Sequence, residues 1–84
     1  MVNKWELIGF VQASNYRKKV LKALDEPNTP NSLEKELNIK ISHISRTIKE
    51  LIKINLVKCH TPKLRKGKIF QITKEGKEIL KNIK

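Results

Sequence analysis

The sequence predicts a mainly α-helical domain with one small β-hairpin close to its C-terminal end. Apolar residues recur at helical spacing along most of the 84-residue chain, most regularly within residues 41–54. Two short β-prone runs, residues 56–60 and 68–72, then flank a basic loop that contains Gly67. Because a chain of this length buries only a small core, residues 1–84 are expected to form a single domain.

Two helices are predicted before Pro27. The first, over residues 3–13, follows from the helical spacing of Trp5, Ile8 and Val11. Ser14 or Asn15 can cap the second, which starts at Tyr16 and must stop before Pro27, because the residue before a proline avoids helical geometry. Its apolar line is expected to face inward and its cations to stay in water: Tyr16, Val20, Leu21 and Leu24 against Arg17, Lys18, Lys19 and Lys22.

A helix-turn-helix is predicted over residues 30–54. Thr29 offers a hydroxyl cap and Pro30 suits the first helical position, so a short helix should begin there. After a turn through Asn38 and Ile39, a longer helix should bury Ile41, Ile44, Ile48, Leu51 and Ile52. The exposed stripe of that helix would then consist of Ser42, His43, Arg46, Lys49 and Lys53.

The C-terminal third is expected to contain a hairpin over residues 56–72 and a last helix over residues 74–83. A Pro62-containing basic loop joins the two strands. Leu64 is expected to pin that loop down, with contact to a sugar in the groove as the alternative. Thr73 caps the final helix. Its apolar side would consist of Ile79, Leu80 and Ile83.

Positive charge is concentrated in the middle of the chain, which has a formal net charge of +11. The block from Lys40 to Lys68 contains Glu50 as its single acid and nine basic residues: Lys40, Arg46, Lys49, Lys53, Lys58, Lys63, Arg65, Lys66 and Lys68. Like charges held together repel one another and lower folding stability, so the block indicates an anionic partner. A solvated surface is the usual role of a charge run, but the surrounding helix and hairpin favour double-stranded DNA.

The order of these elements resembles the archaeal and bacterial winged helix-turn-helix transcription regulators of the MarR and ArsR type, over roughly residues 16–80. The similarity lies in Thr29-Pro30, in the turn at residues 37–39, in the Ser-Arg helix at residues 42–51, in Leu56-Val57, and in Gly67 followed by residues 70–76. The resemblance implies a winged helix-turn-helix fold and a DNA-binding regulator. In such proteins the second helix of the motif is the recognition helix and the hairpin is the wing.

Two residues depart from the family pattern. Lys40 stands where a capping Ser or Thr is usual, and a cation there opposes the helix dipole, so Ser42 is expected to serve as the cap. Glu34 stands where a small alanine is common, which is expected to affect how closely the two helices of the motif cross.

Geometry and resemblance together predict the residues that contact DNA. The recognition helix would place Ser42, His43, Ser45, Arg46 and Lys49 in the major groove, with Arg46 as the base contact because its planar fork can grip a guanine edge. The wing and its surroundings would lie on the backbone or in the minor groove through Lys40, Lys58, Lys63, Arg65, Lys66 and Lys68.

Other chemistry finds little support. Cys59 and His60 resemble a metal pair, but strand neighbours point to opposite faces and no further ligand lies nearby in sequence, so Cys59 is expected to be a half-buried strand residue. No catalytic constellation, phosphate-cradling glycine loop or cofactor motif is present in the sequence, and no enzyme activity, metal or cofactor is predicted. The sequence has no apolar stretch close to the length of about 18 residues that a membrane-spanning helix needs. A cytoplasmic protein without a membrane partner is therefore expected.

The sequence therefore predicts a sequence-preferring DNA-binding protein that regulates transcription, as a homodimer held by its terminal helices. Core or dimer packing is the preferred interpretation of Trp5 and Phe10, ahead of a ligand pocket. Two alternatives stay open: a binder of RNA or of chromatin without sequence preference, and a winged-helix module that docks on an acidic protein. Neither an effector nor an operator is encoded in a local pattern.

Overall fold

The computed structural model describes residues 3–83 and contains five helices and one two-stranded antiparallel sheet in that range. The predicted fold class, mainly α with a small hairpin, is confirmed. In chain order the elements are α1 (Lys4–Gln12), α2 (Asn15–Ala23), α3 (Pro30–Leu37), α4 (Ile41–Lys53), β1 (Val57–Cys59), β2 (Phe70–Ile72) and α5 (Lys74–Lys81). Helix α2 lies at the centre, since it packs against each of the other four helices.

The core is built from the inward faces of all five helices and of the sheet. Its fully buried side chains come mainly from α2 and α4, with Leu33 of α3 and Leu56 before β1: Val20, Leu21, Leu24, Leu33, Ile44, Leu51 and Leu56. Ile8 and Val11 of α1 and Ile79 of α5 complete this cluster. The terminal helices are therefore part of the monomer core, and only some of their apolar residues remain available for another contact.

Ile41, Ile52 and Leu64 are among the apolar residues that are exposed, contrary to the expectation that they are buried or pin a loop. Ile41 and Ile52 retain 36% and 39% of their surface, because Ile41 begins α4 and Ile52 lies at the edge of its apolar stripe. Leu64 is 48% exposed, so it does not pin the wing loop. The helical period gives the direction of the buried face, but the edges and ends of that face depend on which neighbours reach them.

The start of α4 is capped by a residue from α3, contrary to the expectation for Ser42. Lys40 occupies the cap position and its side chain makes no cap hydrogen bond. Instead the Glu34 carboxylate accepts a hydrogen bond from the Ile41 N–H, with a distance of 2.9 Å between Oε2 and N. A carboxylate at a helix N-terminus is stabilised by the free amides and the helix dipole, so Glu34 offsets the unfavourable Lys40.

Helix α4 ends in a Schellman motif that leads directly into the wing. Asn55 adopts a left-handed conformation with φ of 63°. The Leu56 N–H donates to the Leu51 carbonyl and the Asn55 N–H to the Ile52 carbonyl, both at 2.9 Å. The Thr73 hydroxyl donates to the Asn55 carbonyl at 2.7 Å and accepts from the Gly76 N–H at 3.0 Å, which joins the start of α5 to the end of α4.

The strands of the wing are shorter than predicted, with three pairs in the register Val57 to Ile72, Lys58 to Gln71 and Cys59 to Phe70. The connection between α2 and α3 adds a further bridge, because the Phe70 N–H and carbonyl both bond to the backbone of Asn28, at 2.8 and 2.9 Å. The base of the wing is thereby attached to the segment that leads into the helix-turn-helix.

Candidate nucleic-acid interface

The outer face of α4 carries the residues predicted for the major groove. Ser42, Arg46 and Lys49 are exposed, and His43 and Ser45 are half-buried. The face opposite holds Ile44, Thr47, Ile48 and Leu51 in the core, which fixes the rotation of the helix about its axis. Because this face of α4 is fixed in the core, the polar stripe on the other side points to solvent without any rearrangement.

The structure brings part of the predicted wing set next to α4. An open groove of about 450 Å³ separates the wing from the wing-facing side of α4 and from the start of α3. Ile48, Ile52 and Phe70 give this groove an apolar wall. Its polar and cationic lining comes from Thr29, Asn31, Ser45, Lys49, Arg65, Lys66 and Lys68.

The remaining predicted residues do not line this groove. On α4, the side chains outside the groove lining are Ser42, His43 and Arg46. Lys40, before the first residue of α4, and Lys58 of β1 also lie outside that lining. Lys63 lies near the tip of the wing, beside a shallow hollow formed with Pro62 and Leu64. The candidate interface is therefore one surface with two parts: the outer stripe of α4, and the groove between α4 and the wing.

An aromatic residue outside the predicted set adjoins the first part. The ring of Tyr16, at the start of α2, lies 5.1 Å from the ring of His43 between centroids, and Tyr16 is 42% exposed. It was expected to face the core, since it continues the apolar line of α2. Its position next to the recognition helix is a tertiary contact, and no sequence pattern could have indicated it.

Arg17 is half-buried, although its charge was expected to remain in water. Its guanidinium lies over the Phe10 ring, 3.6 Å from the centroid, and donates from Nη1 to the Phe10 carbonyl at 2.9 Å. From Nη2 it donates to Glu50 Oε2 at 3.1 Å. Arg17 thus joins α1 and α2 to the single acid of the basic block.

That contact is the one ion pair with a separation of 4.0 Å or less among residues 3–83. Within that range, the cations of α4 and of the wing have no carboxylate partner at this distance. Unpaired cations on one surface attract phosphates strongly, because no internal acid competes for them.

The neighbourhood of Cys59 offers no cluster of ligands. Cys59 is half-buried, and His60 Nε2 lies 2.6 Å from Gln71 Oε1. The part of the chain that the structure describes contains no group of three His, Cys, Asp or Glu side chains placed to hold a metal ion. None of its helices is long and apolar enough to span a membrane.

Comparison with solved structures identifies the architecture. A MarR family transcription regulator superposes with a TM-score of 0.72 at 20% identity, over 92% of this chain and 58% of its own. A mutant of the type III plasmid segregation protein TubR gives a TM-score of 0.77 at 13% identity, over 96% of this chain and 88% of its own. This chain has the winged helix-turn-helix fold. The predicted resemblance to MarR-type regulators is thereby confirmed at the level of the fold.

A third winged-helix neighbour is the adhesin competence repressor from Streptococcus pyogenes, with a TM-score of 0.73 and 24% identity over 90% of this chain and 59% of its own. The chain thus spans less than two thirds of the length of two of these three proteins. No protein-family model and no curated protein matches the winged-helix sequence.

Proposed function

We propose that this winged-helix chain binds double-stranded DNA, prefers particular base sequences, and regulates transcription. The observation that carries the proposal is the shared surface of α4 and the wing, whose cations have no carboxylate partner within residues 3–83. The repressor and the regulator among its structural neighbours are consistent with this function. At such low sequence identity these neighbours support only the fold. The distribution of charge is what supports DNA as the binding partner.

The two parts of the surface have different tasks in this proposal. Helix α4 enters the major groove with Ser42, His43 and Arg46 of its outer stripe and with Ser45 and Lys49 on its wing-facing side, and Arg46 contacts a base. The wing and its surroundings hold the backbone or the minor groove through Lys40, Lys58, Lys63, Arg65, Lys66 and Lys68. Base contacts provide specificity, and phosphate contacts provide affinity that depends on salt.

A homodimer is part of the same proposal. One small module contacts few base pairs, and a two-fold axis doubles the contacts on a palindromic site. Because Ile8, Val11 and Ile79 belong to the monomer core, the terminal helices have other apolar side chains left for a dimer contact: Trp5, which is 75% exposed, and the partly buried Leu80 and Ile83. An apolar side chain of the size of Trp5 is more stable in a subunit contact than in water.

The experiment that tests the function is selection of bound fragments from random duplex DNA at a stated salt concentration. Enrichment of a palindromic sequence is expected. Binding without enrichment would favour a chromatin or RNA binder without sequence preference. A chain that ignores DNA but retains an acidic protein at high salt would instead be a protein-interaction module, and the regulatory proposal would be wrong.

A further inference from the structure

The contact between Arg17 and Glu50 has a consequence for DNA binding, and this inference rests on the proposed function. Glu50 lies on the recognition helix, one turn after Arg46 and one turn before Lys53. Side chains that are three or four residues apart on a helix are neighbours, so the Glu50 carboxylate has two cations of the DNA-facing stripe within reach along its own helix.

The carboxylate is nevertheless turned to another helix. It accepts from Arg17 Nη2 at 3.1 Å, and it lies more than 4.0 Å from the charged nitrogens of Arg46 and Lys53. The Arg17 guanidinium is itself held in place, because it is stacked on the Phe10 ring and donates a hydrogen bond to the Phe10 carbonyl. The ion pair therefore cannot easily move toward the exposed stripe of α4. α1 therefore holds Arg17, and Arg17 holds Glu50.

We propose that Arg17 is a positioning residue for DNA binding, which draws the one acid of the basic block away from the recognition stripe and keeps Arg46 and Lys53 free for the duplex. Without the arginine, Glu50 would pair with one of those two cations along α4. That pairing would take one cation from the duplex and bring a carboxylate to the recognition stripe, so that the net positive charge facing the phosphates falls.

The role differs from that of a contact residue and from that of a purely structural ion pair. Arg17 is half-buried and bonds to α1 and α4, so its effect on the duplex passes through Glu50. If Arg17 only held the helices together, a folded Arg17 variant would keep the wild-type salt slope, and any loss of DNA binding would follow a loss of folding. If Arg17 frees the cations by sequestering Glu50, the folded variant should have a lower slope, and removal of the Glu50 charge should restore that slope.

The test measures the affinity of the full chain for a labelled duplex that carries the preferred site, where both Arg46 and Lys53 are expected to act, over a series of salt concentrations. Arg17→Met retains an unbranched apolar stem beside Phe10 and loses the charge. It should lower the magnitude of the slope of log affinity against log salt by about 1, the value of one phosphate contact. The double variant Arg17→Met with Glu50→Gln should regain the wild-type slope. Arg17→Lys, which keeps the charge, should stay closer to wild type than Arg17→Met.

Glu50→Gln alone provides a check that does not depend on how well Arg17→Met folds. Since the acid is already sequestered in the wild type, its neutralisation should leave the slope unchanged. A slope whose magnitude increases by about 1 would show that Glu50 competes for the stripe in the wild type and would overturn the inference.

Two further outcomes would also overturn the inference. One is a folded Arg17→Met variant with the wild-type slope, and the other is a loss that Glu50→Gln fails to restore. A wild-type chain that binds no duplex at low salt would instead overturn the proposed function and, with it, this inference. Wild-type binding with an unresponsive Arg17→Met variant would overturn the inference alone.

Discussion

At the scale of single residues, the recognition helix combines a fixed face with one side chain suited to read a base. Arg46 is exposed on the outer stripe of α4 and has no carboxylate within 4.0 Å among residues 3–83. The buried Ile44 and Thr47 flank it in sequence and fix the direction in which it projects. Its guanidinium therefore has no ion pair with a described carboxylate that would have to break before it contacts a base.

Replacement of Arg46 by alanine should lower affinity for the preferred site by about 1–3 kcal/mol and have little effect on random DNA, because a bidentate base contact is lost. Titrations of both duplexes at one salt concentration measure this difference. Lys19→Ala removes an exposed charge from α2, beside α5, and serves as the control that should leave both affinities near wild type. Equal losses on both duplexes would show that Arg46 contacts only phosphate.

A second residue with a sharp requirement is Gly76, in the first turn of α5. A Cβ atom there would overlap the backbone carbonyl oxygen of Leu56 and the side chain of Ile72. The carbonyl belongs to the junction between α4 and β1, so it cannot move without disturbing the end of the recognition helix. Absence of a side chain is thus what allows α5 to approach that junction closely.

Gly76→Ala should reduce the free energy of unfolding by about 1–3 kcal/mol, as overpacking does elsewhere. Gly9→Ala is the matched control: Gly9 lies within α1 with no atom within 4 Å of the added Cβ, so the same change should stabilise the chain by about 0.5–1 kcal/mol. Thermal unfolding of the two variants and the wild type compares them directly. Stabilisation by both substitutions would show that α5 does not pack so closely on Leu56.

At the scale of elements, the helix-turn-helix and the wing differ in how much of them could be predicted. The helical period of residues 41–54 gave the buried face correctly at Ile44, Ile48 and Leu51, and the Thr29-Pro30 pair gave the start of α3. The cap of α4 by Glu34, the pairing of Arg17 with Glu50 and the bridge from Asn28 to Phe70 could not be predicted. Each joins residues whose proximity arises only when separate elements pack.

The wing loop (residues 61–68) provides a prediction that counts contacts. Replacement of Lys63, Arg65 and Lys66 by alanine should reduce the magnitude of the slope of log affinity against log salt by about 0.9 per contact, so by nearly 3 per monomer. The loss should be similar on preferred and random sequences, since phosphates are present on every duplex. An unchanged slope and affinity would mean that the loop does not touch DNA and would favour the acidic-protein partner.

At the scale of the whole molecule, the terminal helices serve the core first. Helix α1 packs on α2 and α5 through Ile8 and Val11. Deletion of this helix would therefore uncover the core as well as remove any subunit contact. Trp5 is separable from that role because 75% of it remains exposed. The expected homodimer can therefore be tested by a substitution that leaves the core intact.

We expect the wild type to sediment as a dimer at micromolar concentration and Trp5→Ser to sediment as a monomer, because the change removes a large apolar side chain from the proposed contact. Leu64→Ser is the matched control, since it removes an exposed apolar side chain from the wing. It should leave the dimer intact. A wild-type monomer that binds DNA one-to-one without cooperativity would end the dimer proposal.

The base of the wing separates the part of this molecule that is constrained from the part that is free to diverge. The His60 N–H donates to the Ile69 carbonyl at 2.7 Å, and Phe70 is bonded to Asn28, so the hairpin is closed and attached below the wing loop. Doubling the length of that loop would cost only about 0.6 kcal/mol of closure entropy, small beside a total stability of about 5–15 kcal/mol. In the proposed complex, insertions there would lengthen the reach of the wing along the duplex while α4 keeps its orientation. Evolution or design could therefore change the proposed footprint on DNA through the loop alone.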